Sequence, residues 1–95
     1  MPVMKMEIRY SAKYRKSYKK AEIKIRTAFR NRTQLFSVDP YNPLLHNHQL
    51  TGKYLGYRSI NITGDWRAIF TEVQREDKRT IVIFHFFGTH SQIYK

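Results

Sequence analysis

The sequence contains no cysteine. That excludes a disulfide framework and a thiolate metal site, and it fits a reducing compartment. Acidic residues are scarce: seven Asp and Glu stand against eighteen Lys and Arg, a net charge of +11. Glycine (four), proline (three) and tryptophan (one) are also few, and no linker, repeat or low-complexity stretch divides the chain. No apolar run approaches the ~20 residues needed to span a membrane. The first residues, MPVMKMEIRY, lack the apolar segment of a signal peptide. A cytoplasmic protein without a membrane partner is expected.

Ninety-five residues, 41% of them apolar, suit one small domain covering 1–95. Its positive charge is concentrated early. Met1 to Arg32 carries eleven Lys and Arg against Glu7 and Glu22. A field of that sign attracts polyanions such as nucleic acid, would equally receive an acidic protein, and suits an anionic membrane surface less well.

Met4, Met6, Ile8 and Tyr10 alternate with charged residues, the period of a strand. Ser11 can cap a short basic helix from Ala12 to Lys20. Tyr14 and Tyr18, four residues apart, share one face of it and are expected in the core. A second helix is predicted from about Ala21 to Phe36, with Ala21, Ile25, Ala28, Phe29, Arg32 and Phe36 on one stripe, all but Arg32 apolar. Asp39-Pro40 ends it. Strands follow at Tyr57–Ile62, Trp66–Val73 and Thr80–Phe87, joined by the turns Thr63-Gly64-Asp65 and Arg75–Lys78. The order β-α-α-β-β-β implies an α+β fold, an antiparallel sheet with two N-terminal helices packed on one face. The first strand belongs at the sheet edge or beside the last strand.

Candidate chemistry gathers between His46 and Trp66, HNHQLTGKYLGYRSINITGDW, and in the C-terminal Gly88–Tyr94, GTHSQIY. A histidine near neutral pKa can take or give a proton. His46 and His48 alone cannot make a zinc site, which needs three or four ligands. Asp65 is either ordinary turn chemistry or a carboxylate that takes a proton or orients a histidine. Trp66 is core on composition alone, with a base-stacking edge as the alternative. Lys53 and Arg58 can neutralise phosphate. His90 emerges where the central strand ends, whereas His85 inside that strand is expected to be a satisfied histidine.

Leu50-Thr51-Gly52-Lys53-Tyr54-Leu55-Gly56-Tyr57-Arg58, then Gly64-Asp65-Trp66, then Gly88-Thr89-His90-Ser91-Gln92-Ile93-Tyr94, resemble the RelE/YafQ-like toxins of bacterial type II toxin–antitoxin modules. The resemblance implies a RelE-like, microbial-RNase-like fold and metal-independent cleavage of mRNA on the ribosome, with no cofactor. It implies catalytic roles for His48, Asp65 and His90, and places for Trp66 and Tyr94 around the substrate. One position departs. Asn61 stands where YafQ-like members have a histidine four residues before the aspartate. Asn cannot shuttle a proton but can donate a hydrogen bond to phosphate. Lys53, Arg58 and Asn61 are therefore expected to hold the phosphate. The implied partners are mRNA, the ribosome and a cognate acidic antitoxin. The alternative is a non-catalytic basic RNA- or ribosome-binding module, a degenerate toxin.

Overall fold

Ser11 ends the first strand and begins the first helix. Its backbone is extended (φ −70°, ψ 163°) and its hydroxyl accepts a hydrogen bond from the Tyr14 N–H at 3.0 Å, satisfying a first-turn donor that the helix leaves free. The same hydroxyl donates to the His85 carbonyl, and the Ser11 N–H donates to the Phe84 carbonyl at 2.9 Å. One serine thus closes strand β1 (Met6–Tyr10), starts helix α1 (Ala12–Lys20) and pins both to the last strand. The computed structural model describes residues 6–94; Met4, expected at the head of the first strand, lies outside them.

Helix α2 spans Ile23–Val38, two residues later at each end than the periodicity suggests. Ala21 and Glu22 both adopt extended backbone and make the corner between the helices. The apolar stripe marked the face, not the ends. Ile25, Phe29 and Phe36 are buried as expected, and Ala21 and Ala28 pack beside them.

The sheet has five strands in the order β1-β5-β4-β3-β2. Beyond β1, these are β2 (His48–Gln49), β3 (Arg58–Asn61), β4 (Trp66–Gln74) and β5 (Thr80–Thr89). The sheet is antiparallel from β2 to β5, and the fold is the expected α+β. β1 takes both places foreseen for it, at the edge and beside the last strand, but runs parallel to β5. No hairpin joins those two strands, so no tight turn imposes opposite directions on them. The short β2, in a segment read as loop, is an addition.

Both helices cover one face of the sheet. Tyr14, Phe29 and Phe36 pack there on Phe70, Val82 and Phe84. The other face carries a smaller cluster of Leu50, Ile69 and Ile93, partly covered by Tyr54, Tyr57 and Phe86. A bulge leaves His85 out of the ladder: Ile69 faces Phe86 and Phe70 faces Phe84. The chain then turns into α3 (His90–Ile93), closed by a reciprocal cap in which the Thr89 hydroxyl accepts from the Gln92 N–H and the Gln92 side chain accepts from the Thr89 N–H. This turn folds tightly onto Gly88. A Cβ there would lie 2.9 Å from Gln92 Oε1 and 3.7 Å from Ile93 Cγ1.

Candidate active site

Strand pairing determines which expected residues share a face. His48 stands opposite Ser59, Ser59 opposite Ile69, and Ile69 opposite Phe86. Directly opposed residues point the same way, so His48 belongs to the helix-free face. The next row on that face is Asn61, Arg67 and Gly88.

Asp65 sits in the β3–β4 turn. The Thr63 hydroxyl accepts from the N–H groups of Asp65 (3.3 Å) and Trp66 (3.2 Å), and the Ile62 N–H donates to the Trp66 carbonyl at 2.8 Å. The turn leaves the carboxylate exposed. The His90 N–H donates to the Asp65 carbonyl at 2.9 Å, tying the C-terminal turn to this one. The rings of His90 and Tyr94 lie 4.6 Å apart, and Tyr94 is 38% exposed. Asp65 and the His90–Tyr94 pair, distant in sequence, are therefore brought together through their backbones.

His48 approaches from the opposite edge, across three interstrand spacings of about 4.8 Å each. Its Nδ1 is 2.8 Å from the His46 carbonyl oxygen. A carbonyl can only accept, so Nδ1 donates, and the neutral ring keeps its lone pair on Nε2. His46 supplies that carbonyl from a left-handed backbone (φ 47°, ψ 49°), with the two rings 4.7 Å apart. His46 is thus scaffold for His48.

The remaining expected residues divide. Asn61 lies on the same face as His48, with its Oδ1 buried and without a hydrogen-bond partner. Lys53 is exposed in the 3-10 turn Gly52–Tyr54, its Nζ 5.1 Å above the Tyr54 ring. Trp66 turns to the helix-bearing side and packs 5.7 Å from Phe87. Arg58 pairs opposite Phe70, away from the Asp65–His90 group. Its Nε donates to Asn47 Oδ1 at 2.9 Å, its guanidinium lies 5.6 Å from the Tyr41 ring, and Glu72 is 4.0 Å away. Asn47 in turn donates to the Pro40 carbonyl at 2.9 Å. Arg58 therefore holds the loop that delivers His46 and His48.

Sequence reading missed Arg67. Its Nη1 donates to the carbonyls of Thr63 (3.1 Å), Gly64 (3.2 Å) and Trp66 (3.1 Å), bracing the turn that presents Asp65. The only signal in the sequence is its place directly after Asp65-Trp66. His85 is satisfied, as expected: its Nε2 lies 2.8 Å from Thr71 Oγ1, and burial lowers its pKa and favours the neutral ring. Among the described residues no group of three or more His, Asp or Glu could hold a metal ion, and no helix is long and apolar enough to cross a membrane.

Residues 6–95 match the family model described as a bacterial toxin of type II toxin–antitoxin systems, YafQ. No curated protein gives a significant match. Among solved structures, YafQ from E. coli is similar at a TM-score of 0.76 and 20% identity, covering 96% of this chain and all of that one. A chain of the E. coli DinJ–YafQ toxin–antitoxin complex matches at 0.74 and 22%, over 97% of this chain and all of that one. A YoeB/ParE toxin from Agrobacterium tumefaciens matches at 0.72 and 15%, over 90% of this chain and 99% of its own. At these identities the likeness to solved structures is one of fold.

Proposed function

The chain belongs to the YafQ family of bacterial type II toxins, and from that premise we propose that it is an endoribonuclease that cleaves mRNA on the ribosome without a metal ion. Residues 1–95 act as one toxin domain in the cytoplasm, restrained by an acidic antitoxin. The last reading draws on the toxin–antitoxin complex among the similar structures and on the basic N-terminal half.

The reaction needs a base for the ribose 2′-hydroxyl, an acid for the departing 5′-oxygen, and donors for the charge that grows on phosphorus oxygens. Free Nε2 of His48 accepts the 2′-hydroxyl proton. The 2′-oxygen attacks phosphorus in line and the bond from phosphorus to the 5′-oxygen breaks. His90 returns a proton to that oxygen, and the exposed Asp65 carboxylate, on the turn to which the His90 backbone is tied, adds negative charge that favours the imidazolium. Asn61 and Lys53 donate to the phosphate. Arg58 keeps the His48 loop in place, and Trp66 anchors the Asp65 turn from beneath. Tyr94 walls the site next to His90. The products carry a 2′,3′-cyclic phosphate and a 5′-hydroxyl.

The observation that carries this reading is the hydrogen bond from the His90 N–H to the Asp65 carbonyl, which fuses the two halves of the expected site. Mapping cut sites and end groups on ribosome-bound mRNA tests it. His48→Ala and His90→Ala are each expected to slow cleavage by ~10²–10⁴-fold. Unimpaired cleavage by the double variant overturns the assignment. Ribosome binding without any cuts by the wild-type chain would instead make it a non-catalytic module.

A further inference from the structure

Beyond the catalytic group, the helix-free face presents a second feature. Tyr54, Tyr57 and Phe86 gather over the small cluster of Leu50, Ile69 and Ile93 without being fully buried. The Tyr54 and Phe86 rings are 5.5 Å apart, Tyr54 and Tyr57 6.2 Å, and Tyr57 and Phe86 6.4 Å. The Tyr57 ring also stands edge-on to His85 at 5.3 Å. Two lysines from distant parts of the chain reach over this surface: Lys13 of α1 lies 5.0 Å from the Phe86 ring centroid, and Lys53 lies 5.1 Å from that of Tyr54.

A partly open aromatic surface with mobile-ended lysines over two of its rings has the chemistry of a single-stranded nucleic-acid site, where an entering base displaces each ammonium group from the ring to the adjoining phosphate. Bases stack on the rings and the flanking phosphates meet the cations. Its position fits such a strand. Phe86 is two residues along β5 from Gly88, roughly 7 Å at the rise of a strand, and α3 with His90 folds back from there. A nucleotide stacked on the aromatic surface is therefore about one or two nucleotides from a phosphate at His90.

We infer that Tyr54, Tyr57 and Phe86, with Lys13 and Lys53, form a subsite that stacks one or two bases of single-stranded RNA adjacent to the cleaved phosphate. The inference rests on the proposed reading of the face as an RNA-cleaving site. The subsite reads no base edge and is tolerant of sequence, because every base has a stacking face. It holds the strand against the site while the ribosome or another element supplies selection.

The test is binding of a fluorescent single-stranded RNA bearing 2′-O-methyl groups, which cannot be cut, followed by anisotropy in low salt. Tyr54→Leu keeps an apolar side chain on the small cluster but removes the stacking face, and Tyr54→Phe keeps both. The expected result is a roughly five- to hundredfold weaker affinity for the Leu variant, a wild-type affinity for the Phe variant, and a raised KM with unchanged kcat for Tyr54→Leu on ribosome-bound mRNA. Lys13→Gln, on α1 and outside the catalytic group, should reduce the slope of log affinity against log salt by about one contact. Wild-type affinity in Tyr54→Leu overturns the inference and leaves the catalytic reading intact, as does a wild-type chain that does not bind the RNA. Stacking-dependent binding by a chain that never cuts mRNA sustains the subsite and overturns the catalytic reading.

Discussion

The Tyr14 hydroxyl is a buried donor without a partner. Tyr14 is 3% exposed, and its oxygen makes no hydrogen bond. The ring lies among Tyr10 (5.1 Å), Phe29 (5.0 Å) and Phe87 (5.0 Å), and burial first, then the neighbouring Tyr10 and Tyr18, drive its pKa above the ordinary tyrosine value. The ring is favourable there and the oxygen is not. Tyr14→Phe keeps the ring and deletes the oxygen, so thermal unfolding of that variant should show a gain of about 1 kcal/mol. A loss of stability would mean that the hydroxyl has a partner. Tyr14 and Tyr18 were legible as core from their four-residue spacing, but the unsatisfied hydroxyl was not, because spacing shows which side a residue takes and not what surrounds its polar atom. The same holds at the site. His48 could be picked out as a candidate proton carrier, yet which nitrogen carries the lone pair follows from the His46 carbonyl, and that depends on one left-handed residue.

At the scale of elements, α3 shows how four residues can position the candidate site. His90 opens it, Ile93 is buried against Leu50 and Ile69, and the reciprocal cap between Thr89 and Gln92 closes its first turn. The turn can approach β5 only because residue 88 has no side chain. In Gly88→Ala the new methyl would meet Gln92 Oε1 at 2.9 Å. That amide is flexible at its far end, but it is held by the Thr89 N–H at 2.8 Å, so relieving the contact breaks the cap. The expected cost in unfolding free energy is about 1 kcal/mol, the size of a lost cap, with a larger proportional loss of mRNA cleavage as His90 and Tyr94 leave Asp65. Gln92→Ala, which removes the cap without the collision, should reproduce the stability loss. If Gly88→Ala cleaves mRNA like the wild type, α3 does not position the site. Gly88 stood out in the sequence as the start of a GTH motif, while its reason, a close approach by a later turn, required the fold.

Across the whole molecule, charge and shape are divided. The two helices bury the large aromatic core on one side of the sheet, and their outward faces carry most of the early lysines and arginines, with Arg15, Lys19 and Arg30 exposed. The other side has only the small cluster of Leu50, Ile69 and Ile93 and carries no long helix. A molecule of net charge +11 should therefore receive an acidic partner on its helical side, and RNA meets the same charges only where the strand runs beyond the helix-free face. Raising salt from 50 to 200 mM should weaken binding of single-stranded RNA by roughly 300-fold if six phosphates are engaged. A binding constant that hardly moves across that range would show that the early basic residues do not meet the RNA.

The sequence by itself determined the class of the molecule. Periodicity located both helices and the strands β1 and β3, because a period of two or of 3.6 is a local consequence of burying one face, and a run apolar on both faces located the central β5. The absence of cysteine and the excess of lysine and arginine set its charge and its lack of thiol chemistry, and the GTH and GDW motifs marked the candidate site residues. Only the tertiary structure decided that β1 runs parallel to β5, because no hairpin constrains it, and that Arg58 braces a loop while Arg67 braces the Asp65 turn. It also placed His48, Asn61 and the Tyr54–Phe86 surface on one face. Those are matters of strand register, and register is fixed by pairing between segments distant in the chain, which no local pattern records.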